Sequence, residues 1–275
     1  MQPVIGFLGY GELARTWCTA LHAHKVANLR AFVRRHPAQI LLDLSPDALP
    51  NGAVHLSASL RETVVGADFV VAAFPAAAIV DMAAQCAPLL DPRAVYVDVA
   101  SGSPERKQEA AALIAASGAA YVDAAVMGSV LEHGLTVPIL ASGTGAVTWA
   151  QAFSGFGARI RVLPGPAGDA ALLKLLRSVY MKGRDALIVE LILAARGHGV
   201  EDEVIASMPP QSGSETFQEL VHRVLTALDN HALRRADELE AASMALRQVS
   251  VMPMMTDAAA KRLRHYGNSD ADTNV

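Results

Sequence analysis

The chain has 275 residues and a mass of 28.9 kDa, enough for one large domain or two smaller ones. Hydrophobic residues make up 52% and charged residues 18%, a composition that favours a substantial buried core over disorder. The formal net charge of −4 and the isoelectric point of about 6.1 give no electrostatic basis for binding nucleic acid.

The sequence predicts neither a membrane span nor a signal peptide. Its apolar runs are broken well short of ~18–20 residues, and the start, "MQPVIGFLGYGE", lacks a basic region and a long apolar region. Cys18 and Cys86 lie far apart, and the nine histidines show no metal-ligand spacing. We therefore expect a cytoplasmic protein with two buried thiols, no disulfide, no metal site and no membrane association.

The first 165 residues alternate strand-like runs with amphipathic, alanine-rich stretches, which predict helices over 12–24, 76–87 and 104–117. The strand-like runs are apolar, β-branched and bounded by Gly, Pro or Asp, and they cover 3–9, 29–35, 53–57, 68–74, 94–99, 120–126, 137–142 and 159–163. This alternation predicts an α/β fold with a doubly wound, mostly parallel sheet of the Rossmann type, covered by helices on both faces.

The pattern changes after "LPGPAG", residues 163–168, beyond which no strand is predicted. Helical stretches follow over 168–197, 201–207, 214–228, 229–248 and 256–265. The sequence therefore predicts a Rossmann domain over 1–165, an all-helical domain over 166–266 that is reached through a long helix, and a flexible polar tail over 267–275.

A glycine-rich turn, Gly9-x-Gly11-x-x-Ala14, connects the first predicted strand to the first helix. In this position Gly9 permits a tight turn, Gly11 lets a pyrophosphate approach the backbone, and the small Ala14 lets helix and strand pack closely. The helix amino terminus adds N–H donors and a positive dipole end. The turn predicts a nicotinamide-dinucleotide site, and the alternative is a glycine-rich turn without a ligand. The predicted cofactor contacts here are Gly9, Tyr10, Gly11, Glu12 and Leu13.

The end of the second predicted strand bears on the ribose of this dinucleotide. An NAD-specific site carries an acidic residue about 20 positions past the turn, whereas Arg34 and Arg35 stand there, followed by His36. Guanidinium groups can clamp a 2′-phosphate that a carboxylate would repel. We therefore predict NADP as the cofactor, with NAD as the alternative if both arginines only face solvent.

Four ordered motifs resemble the β-hydroxyacid dehydrogenase superfamily, which includes the 3-hydroxyisobutyrate and 6-phosphogluconate dehydrogenases. More narrowly, the chain resembles a bacterial branch whose C-terminal domain has no assigned function. The motifs are "GFLGYGELA" at 6–14, "DVASGSP" at 98–104, "DAAVMGS" at 123–129 and "GPAGDAALLKLLRS" at 165–178. The resemblance implies an NAD(P)-dependent dehydrogenase that acts on a small hydroxy acid or sugar acid.

The second and third motifs fall where the superfamily binds its substrate and nicotinamide. The resemblance implies substrate contacts at Ser101, Gly102, Gly128 and Ser129 and cofactor contacts at Phe74, Pro75 and Ser101. Ala100 and Met127 each replace a serine of the family pattern. These two departures keep open a catalytically silent protein that only senses the dinucleotide.

The fourth motif places Lys174 where the superfamily has its essential lysine, with Ser178 in the position of a following asparagine. Their spacing puts both side chains on one face of a helix. The resemblance implies that Lys174 contacts the substrate and takes its hydroxyl proton in oxidation, while Ser178 bonds the same oxygen or orients the lysine. Considered alone, Lys174 is an ordinary helix lysine whose ammonium reaches water.

The same resemblance leaves an alternative enzyme and suggests a partner. An imine or ketone reductase shares the fold, although such reductases usually replace the lysine. The long predicted helix is apolar on several sides, and in the superfamily this helix belongs to a helical domain that pairs with a second subunit. We therefore expect a homodimer.

Overall fold

The computed structural model describes residues 2–33, 53–208 and 216–272. The chain forms two compact units, Met1–Leu172 and Leu173–Val275, and each has its own apolar core. The first unit combines strands and helices, whereas the described residues of the second are helical or lie in connections.

One sheet of eight strands organises the first unit. The strands β1 to β8 are, in chain order, Ile5–Leu8, Leu29–Phe32, His55–Ser57, Phe69–Ala72, Val95–Asp98, Ala120–Val126, Ile139–Ser142 and Ile160–Val162. Their order in the sheet is β3-β2-β1-β4-β5-β6-β7-β8, and neighbouring pairs are parallel except β6 with β7. Every strand lies within a run that predicts one, so the expected Rossmann-type sheet is confirmed.

Helices cover both faces of this sheet. They are α1 (Glu12–Ala23), α2 (Leu60–Val64), α3 (Ile79–Cys86), α4 (Pro104–Ala115), α5 (Val130–His133) and α6 (Ala146–Ser154). On one face α1 and α6 bury Trp17 and Trp149, and on the other α3 and α4 bury Ile79 and Ile114 against Tyr96. Because both faces are covered, the inner strands are apolar on both sides.

The second unit is built from long helices. Helix α7 (Asp169–His198) begins in the first unit and continues into the second, followed by α8 (Glu201–Ser207), α9 (Phe217–Gln248) and α10 (Met254–Asp272). Val189 of α7, Leu239 of α9 and Leu263 of α10 belong to its core. Helix α10 extends into the segment 267–275 that the sequence assigns to a tail.

Helix α9 is continuous, and the prediction of two helices over 214–228 and 229–248 is wrong. Asn230 is a residue type that favours a helix start, but its side-chain amide instead donates to the Thr226 carbonyl at 3.2 Å. Leu228 is buried on the same helix. Its apolar face therefore carries the helix across the predicted break, which is a case of tertiary packing overriding local preference.

Both cysteines are free and buried in the first unit, as predicted. Burial raises the pKa of both thiols, that of Cys86 to about 12, so both side chains behave as small apolar groups. Across the described ranges, each helix is too short or too polar to cross a membrane.

Candidate functional site

The glycine-rich turn lies at the carboxyl end of β1, between the ends of its two neighbouring strands. The Gly9 N–H donates to the Phe32 carbonyl at 3.0 Å, and the Ala73 N–H donates to the Leu8 carbonyl at 3.1 Å. Gly9 has a φ of +108°, and a Cβ there would collide with the carbonyl oxygen of Ala73, so the turn requires glycine. A Cβ at Gly11 would meet no atom within 4 Å, which shows that its backbone borders open space.

This open space adjoins the amino terminus of α1, which begins at Glu12 directly after Gly11. The N–H groups and the positive dipole end of the helix are suited to bind phosphate there. Tyr10 and Leu13 pack partly against the core, while Glu12 is exposed. Burial raises the pKa of Tyr10 to about 12, so its hydroxyl stays protonated. The turn therefore fits the pyrophosphate of a dinucleotide.

Four loops that the sequence singles out follow parallel strands. Residues 9–13 follow β1, Phe74 and Pro75 follow β4, Ser101 and Gly102 follow β5, and Gly128 and Ser129 follow β6. Because β1, β4, β5 and β6 are neighbours in the sheet, their carboxyl ends share one edge, the usual ligand edge of such sheets. Arg34 and Arg35 lie outside the described residues, and Lys174 and Ser178 belong to the second unit.

Two of these loops are shaped by specific contacts. A Cβ at Gly102 would collide with the buried side chain of Ile79, so glycine lets this loop lie against α3. Ser129 caps α5, because its Oγ accepts the Glu132 N–H at 3.3 Å. Ser101 and Ser129 are nevertheless exposed, which leaves both residues accessible to a ligand.

A buried cluster of charges anchors the loop after β5. The Lys107 ammonium of α4 lies 2.9 Å from Asp98 Oδ1 and 3.5 Å from Asp123 Oδ1, and each of the three side chains is 1% exposed. Asp98 also accepts hydrogen bonds from Tyr121 Oη at 2.6 Å and from the Ala100 N–H at 2.9 Å. Burial and the Asp98 carboxylate raise the pKa of Tyr121, which keeps its hydroxyl a donor.

Asp123 also caps the long helix α7, which begins 46 residues later in the chain. Its Oδ2 accepts the N–H groups of Gly168 at 3.1 Å and Ala171 at 2.9 Å, and Ser142 Oγ accepts the Ala170 N–H at 3.2 Å. These N–H groups lack partners within a helix start, and the dipole of the helix favours a carboxylate there. One side chain thus joins β6, Lys107 and the first turn of α7.

Within the second unit, Ser178 connects two lysines of α7. Its hydroxyl donates to the Lys174 carbonyl at 3.0 Å, and its Oγ accepts from the Lys182 ammonium at 3.2 Å. Lys182 also forms an ion pair with Glu238 of α9. Ser178 and Lys182 are each 8% exposed, whereas Lys174 is half-buried. The hydroxyl of Ser178 therefore forms its hydrogen bond with the main chain of Lys174.

Positive charge dominates around this ion pair. Burial lowers the pKa of Lys182 against the attraction of Glu238, and Arg235 and Arg234 add to the lowering. Burial acts to raise the pKa of Glu238, but Lys182, Lys174 and Arg234 together hold it below its ordinary value. The excess of cations thus favours the ionised carboxylate and disfavours any further proton in the cluster.

The sequence patterns assign no role to five residues of these clusters, namely Asp98, Lys107, Asp123, Lys182 and Glu238, although Asp98 and Asp123 begin the second and third motifs. A signal existed for the two lysines, because each lies on a buried face of its helix. Lys107 shares that face with Ala110 and Ile114, and Lys182 follows Lys174 by about two turns. A lysine in such a position predicts a buried partner, but it does not say where in the chain the partner lies.

Both units of the chain match known families. Residues 5–158, more than half of the chain, match the NAD binding domain of 6-phosphogluconate dehydrogenase. The chain belongs to this family. Residues 195–266 match a domain of unknown function, DUF1932. The resemblance to the β-hydroxyacid dehydrogenase superfamily is therefore confirmed, as is the resemblance to its branch with a C-terminal domain of unassigned function. The family and the fold are those of dinucleotide-dependent oxidoreductases.

Solved structures support the same assignment of fold. The chain resembles a conserved hypothetical protein from Sinorhizobium meliloti, with a TM-score of 0.76 and 28% identity over 98% of this chain and 89% of that one. Conserved protein MTH1747, of unknown function and described as similar to 3-hydroxyacid dehydrogenases, matches with a TM-score of 0.72 and 29% identity over 97% and 98% of the two chains.

A characterised enzyme shares the fold at lower identity. The 3-hydroxyisobutyrate dehydrogenase of Mycobacterium tuberculosis, solved with L-serine, matches with a TM-score of 0.74 and 18% identity over 99% of this chain and 96% of that one. At that identity the likeness concerns the fold alone. The chain therefore has the fold of hydroxyacid dehydrogenases along nearly its whole length.

The substitution Asp123→Asn tests the anchor at the start of α7. Asparagine keeps the shape and one acceptor oxygen, but it removes the negative charge that faces Lys107 and the helix dipole. We expect the free energy of unfolding of the first unit to fall by about 1–3 kcal/mol. Urea unfolding followed by tryptophan fluorescence measures this, because Trp17 and Trp149 both lie in that core.

Asp91→Asn is the matched control, since the Asp91 side chain is 43% exposed and pairs only at the surface with Arg93. Its expected effect is within about 0.5 kcal/mol. Equal unfolding midpoints for the two variants would contradict the anchoring role of Asp123.

Proposed function

We propose that this chain is an NAD(P)-dependent oxidoreductase that transfers a hydride between nicotinamide and the hydroxyl-bearing carbon of a small hydroxy acid or sugar acid. Lys174 acts as the general acid and base. The observation that carries the proposal is that the loops of three motifs, after β1, β5 and β6, and the loop after β4 with Phe74 and Pro75 lie at one edge of the sheet. That edge also contains the glycine-rich turn with its open backbone at Gly11.

The residues of the first unit fit a nicotinamide dinucleotide. The turn at residues 9–13 would hold the pyrophosphate through backbone N–H groups and the amino terminus of α1. Phe74, Pro75 and Ser101 would contact the nicotinamide half. When bound, the dinucleotide supplies the hydride chemistry, and the protein supplies orientation and a proton acceptor.

Lys174 holds or releases the proton at its Nζ atom. In oxidation the neutral amine accepts the proton of the substrate hydroxyl, and in reduction the ammonium returns a proton to the carbonyl oxygen. Ser178 would bond the same substrate oxygen or orient the lysine, and its hydroxyl lies on the same helix face, where it donates to the Lys174 carbonyl. The hydroxyls and backbone N–H groups of Ser101 and Ser129, together with the Gly128 backbone, are suited to hold the carboxylate of the acid.

Lys174→Met removes the proton acceptor while keeping an unbranched apolar stem. We expect kcat to fall by at least about a hundredfold, because general acid–base catalysis contributes at least that much, while NADPH affinity stays unchanged. Turnover is measured from reduced-nicotinamide absorbance with a panel of hydroxy acids, and binding from NADPH fluorescence.

Lys261→Met, on α10, is the control for loss of one exposed lysine and should retain activity. Near-normal turnover of Lys174→Met would show that the proton takes another path. Dinucleotide binding by the unmodified protein, without turnover of any acid, ketone or imine in the panel, would instead identify a sensor.

We propose NADP as the preferred cofactor, on the basis of Arg34 and Arg35 at the end of the second predicted strand. Replacing both arginines with serine is expected to weaken NADPH binding about tenfold or more, because two charge-assisted bonds to the 2′-phosphate are lost. NADH binding should change little. Arg93→Ser, at the opposite edge of the sheet just before β5, is the control, and tighter binding of NADH than NADPH by the unmodified protein would refute the preference.

We also propose that the protein is a homodimer that uses α7. Large apolar residues on one side of this helix are exposed, namely Leu173, Leu176, Tyr180 and Leu187, and they recur at the spacing of a continuous helix stripe. Sedimentation equilibrium at micromolar concentration should give twice the 28.9 kDa mass of the chain. Tyr180→Glu should lower the association constant, and a single-chain mass for the unmodified protein would exclude the dimer.

A further inference from the structure

A surface cavity of about 470 Å³ lies at the β8 end of the sheet, and all of its lining residues belong to the first unit. Its volume is within the range of small-molecule sites, roughly 300–1,000 Å³. The lining combines apolar side chains with two arginines, and it includes Met127, Pro138, Leu140, Ile160, Arg159 and Arg161. The contacts proposed for the cofactor and for the substrate carboxylate do not use β8, so the cavity has no role in them.

The register of the strands determines which side chains face this cavity. Leu140 of β7 pairs with Arg161 of β8, the last strand of the sheet, so both side chains project from one face. Pro138 and Arg159 each precede these residues by two positions and therefore share that face. Met127 adjoins Pro138, since its N–H donates to the Pro138 carbonyl at 2.8 Å. The cavity thus has an apolar floor and a cationic border on the outer strand.

The cavity also lies at the ligand edge of the sheet. Strand β7 runs antiparallel to β6, so its first residues lie beside the carboxyl end of β6, and β8, parallel to β7, begins at the same edge. A Cβ at Gly128 would lie only 3.9 Å from Pro138 Cδ. The turn suited to the substrate carboxylate is therefore adjacent to the cavity wall.

Helix α7 begins over the same face of the sheet. Ala170, in its first turn, forms one apolar cluster with Ala125 and Leu140, and Met127 packs against this cluster. Leu140 and Met127 also line the cavity. The cavity therefore shares its apolar residues with the start of the helix that carries Lys174.

Arg159 and Arg161 supply the charge at this cavity. Both are exposed, and among the residues that the structure describes no carboxylate pairs with either guanidinium. Two guanidinium groups on one face of a strand can bind a single carboxylate or phosphate through charge-assisted, bidentate hydrogen bonds. Charges on an edge strand also oppose pairing with another sheet, but that role does not account for the cavity beside them.

We propose that this cavity binds the far end of the substrate and that Arg159 and Arg161 select a second anionic group there, a carboxylate or a phosphate. The inference rests on the proposed function, in which the turn at Gly128 and Ser129 holds the first carboxylate. Neighbouring strands lie about 4.8 Å apart, which puts β8 roughly 10 Å from β6. An extended acid with an anionic group at each end fits that span, because the arginine side chains are long.

The test compares three six-carbon acids, namely gluconate, glucarate and 6-phosphogluconate. Gluconate has one anionic group, whereas glucarate adds a carboxylate and 6-phosphogluconate a phosphate at the far carbon. Isothermal titration calorimetry of the full-length protein saturated with NADPH measures the three Kd values without oxidation of the acids. We expect glucarate or 6-phosphogluconate to bind at least about tenfold more tightly than gluconate. The acid with the larger gain identifies the preferred anion.

Arg159→Gln/Arg161→Gln removes both guanidinium groups and should abolish this gain in affinity. Each single variant should lose part of the gain, which covers the case in which the double variant fails to fold. Lys25→Gln/Arg93→Gln removes two exposed positive charges that precede β2 and β5, at the opposite edge of the sheet, and should retain the gain. Equal affinities for the three acids, no binding of any of them, or a gain that persists without the two arginines would overturn the inference.

The binding measurement separates this inference from the proposed function. If only the inference fails, the unmodified protein oxidises hydroxy acids with one anionic group as well as those with two, and Lys174→Met abolishes both activities. If the proposed function fails, no acid is turned over. Tighter binding of the acids with two anionic groups, and its loss in the arginine variants, would then still support the anion site beside β8.

Discussion

The contact of the Lys107 ammonium with the carboxylates of Asp98 and Asp123 is the constraint on which the candidate site depends. Removing charges from water costs roughly several kcal/mol per ion, so each needs partners that hold it in one geometry. Asp98 obtains them from Tyr121 and from the Ala100 N–H. The loop after β5, which carries the predicted ligand contacts, therefore cannot shift without leaving a buried charge unpaired.

The cluster holds two carboxylates for one ammonium, and the remaining negative charge is directed at a helix. Asp123 meets the first N–H groups of α7, where the dipole is positive. Gly168 has a φ of +102°, and a Cβ there would lie 3.0 Å from the Pro104 carbonyl oxygen. The glycine before the lysine-bearing helix thus has a physical cause, which is the close approach of the starts of α7 and α4.

Local periodicity was sufficient to predict all eight strands and the turn before α1, because those features depend on neighbouring residues. The parallel topology then places the loops of the first three motifs at one edge of the sheet. Contacts between residues far apart in the chain could not be predicted from local patterns. Lys107 meets both carboxylates because the register of β5 with β6 places Asp98 beside Asp123. The same limit explains α9, where packing of Leu228 outweighs a local preference at Asn230.

The two buried lysines, Lys107 and Lys182, lie in surroundings of opposite charge. Lys107 faces two carboxylates, so the local charge is negative and the helix dipole balances it. Lys182 pairs with Glu238, and Arg234, Arg235 and Lys174 add positive charge around the pair. Neighbouring carboxylates stabilise the protonated form of a lysine, whereas neighbouring cations disfavour the binding of a further proton. The sign of the excess charge thus differs between the two clusters, although both lysines are buried.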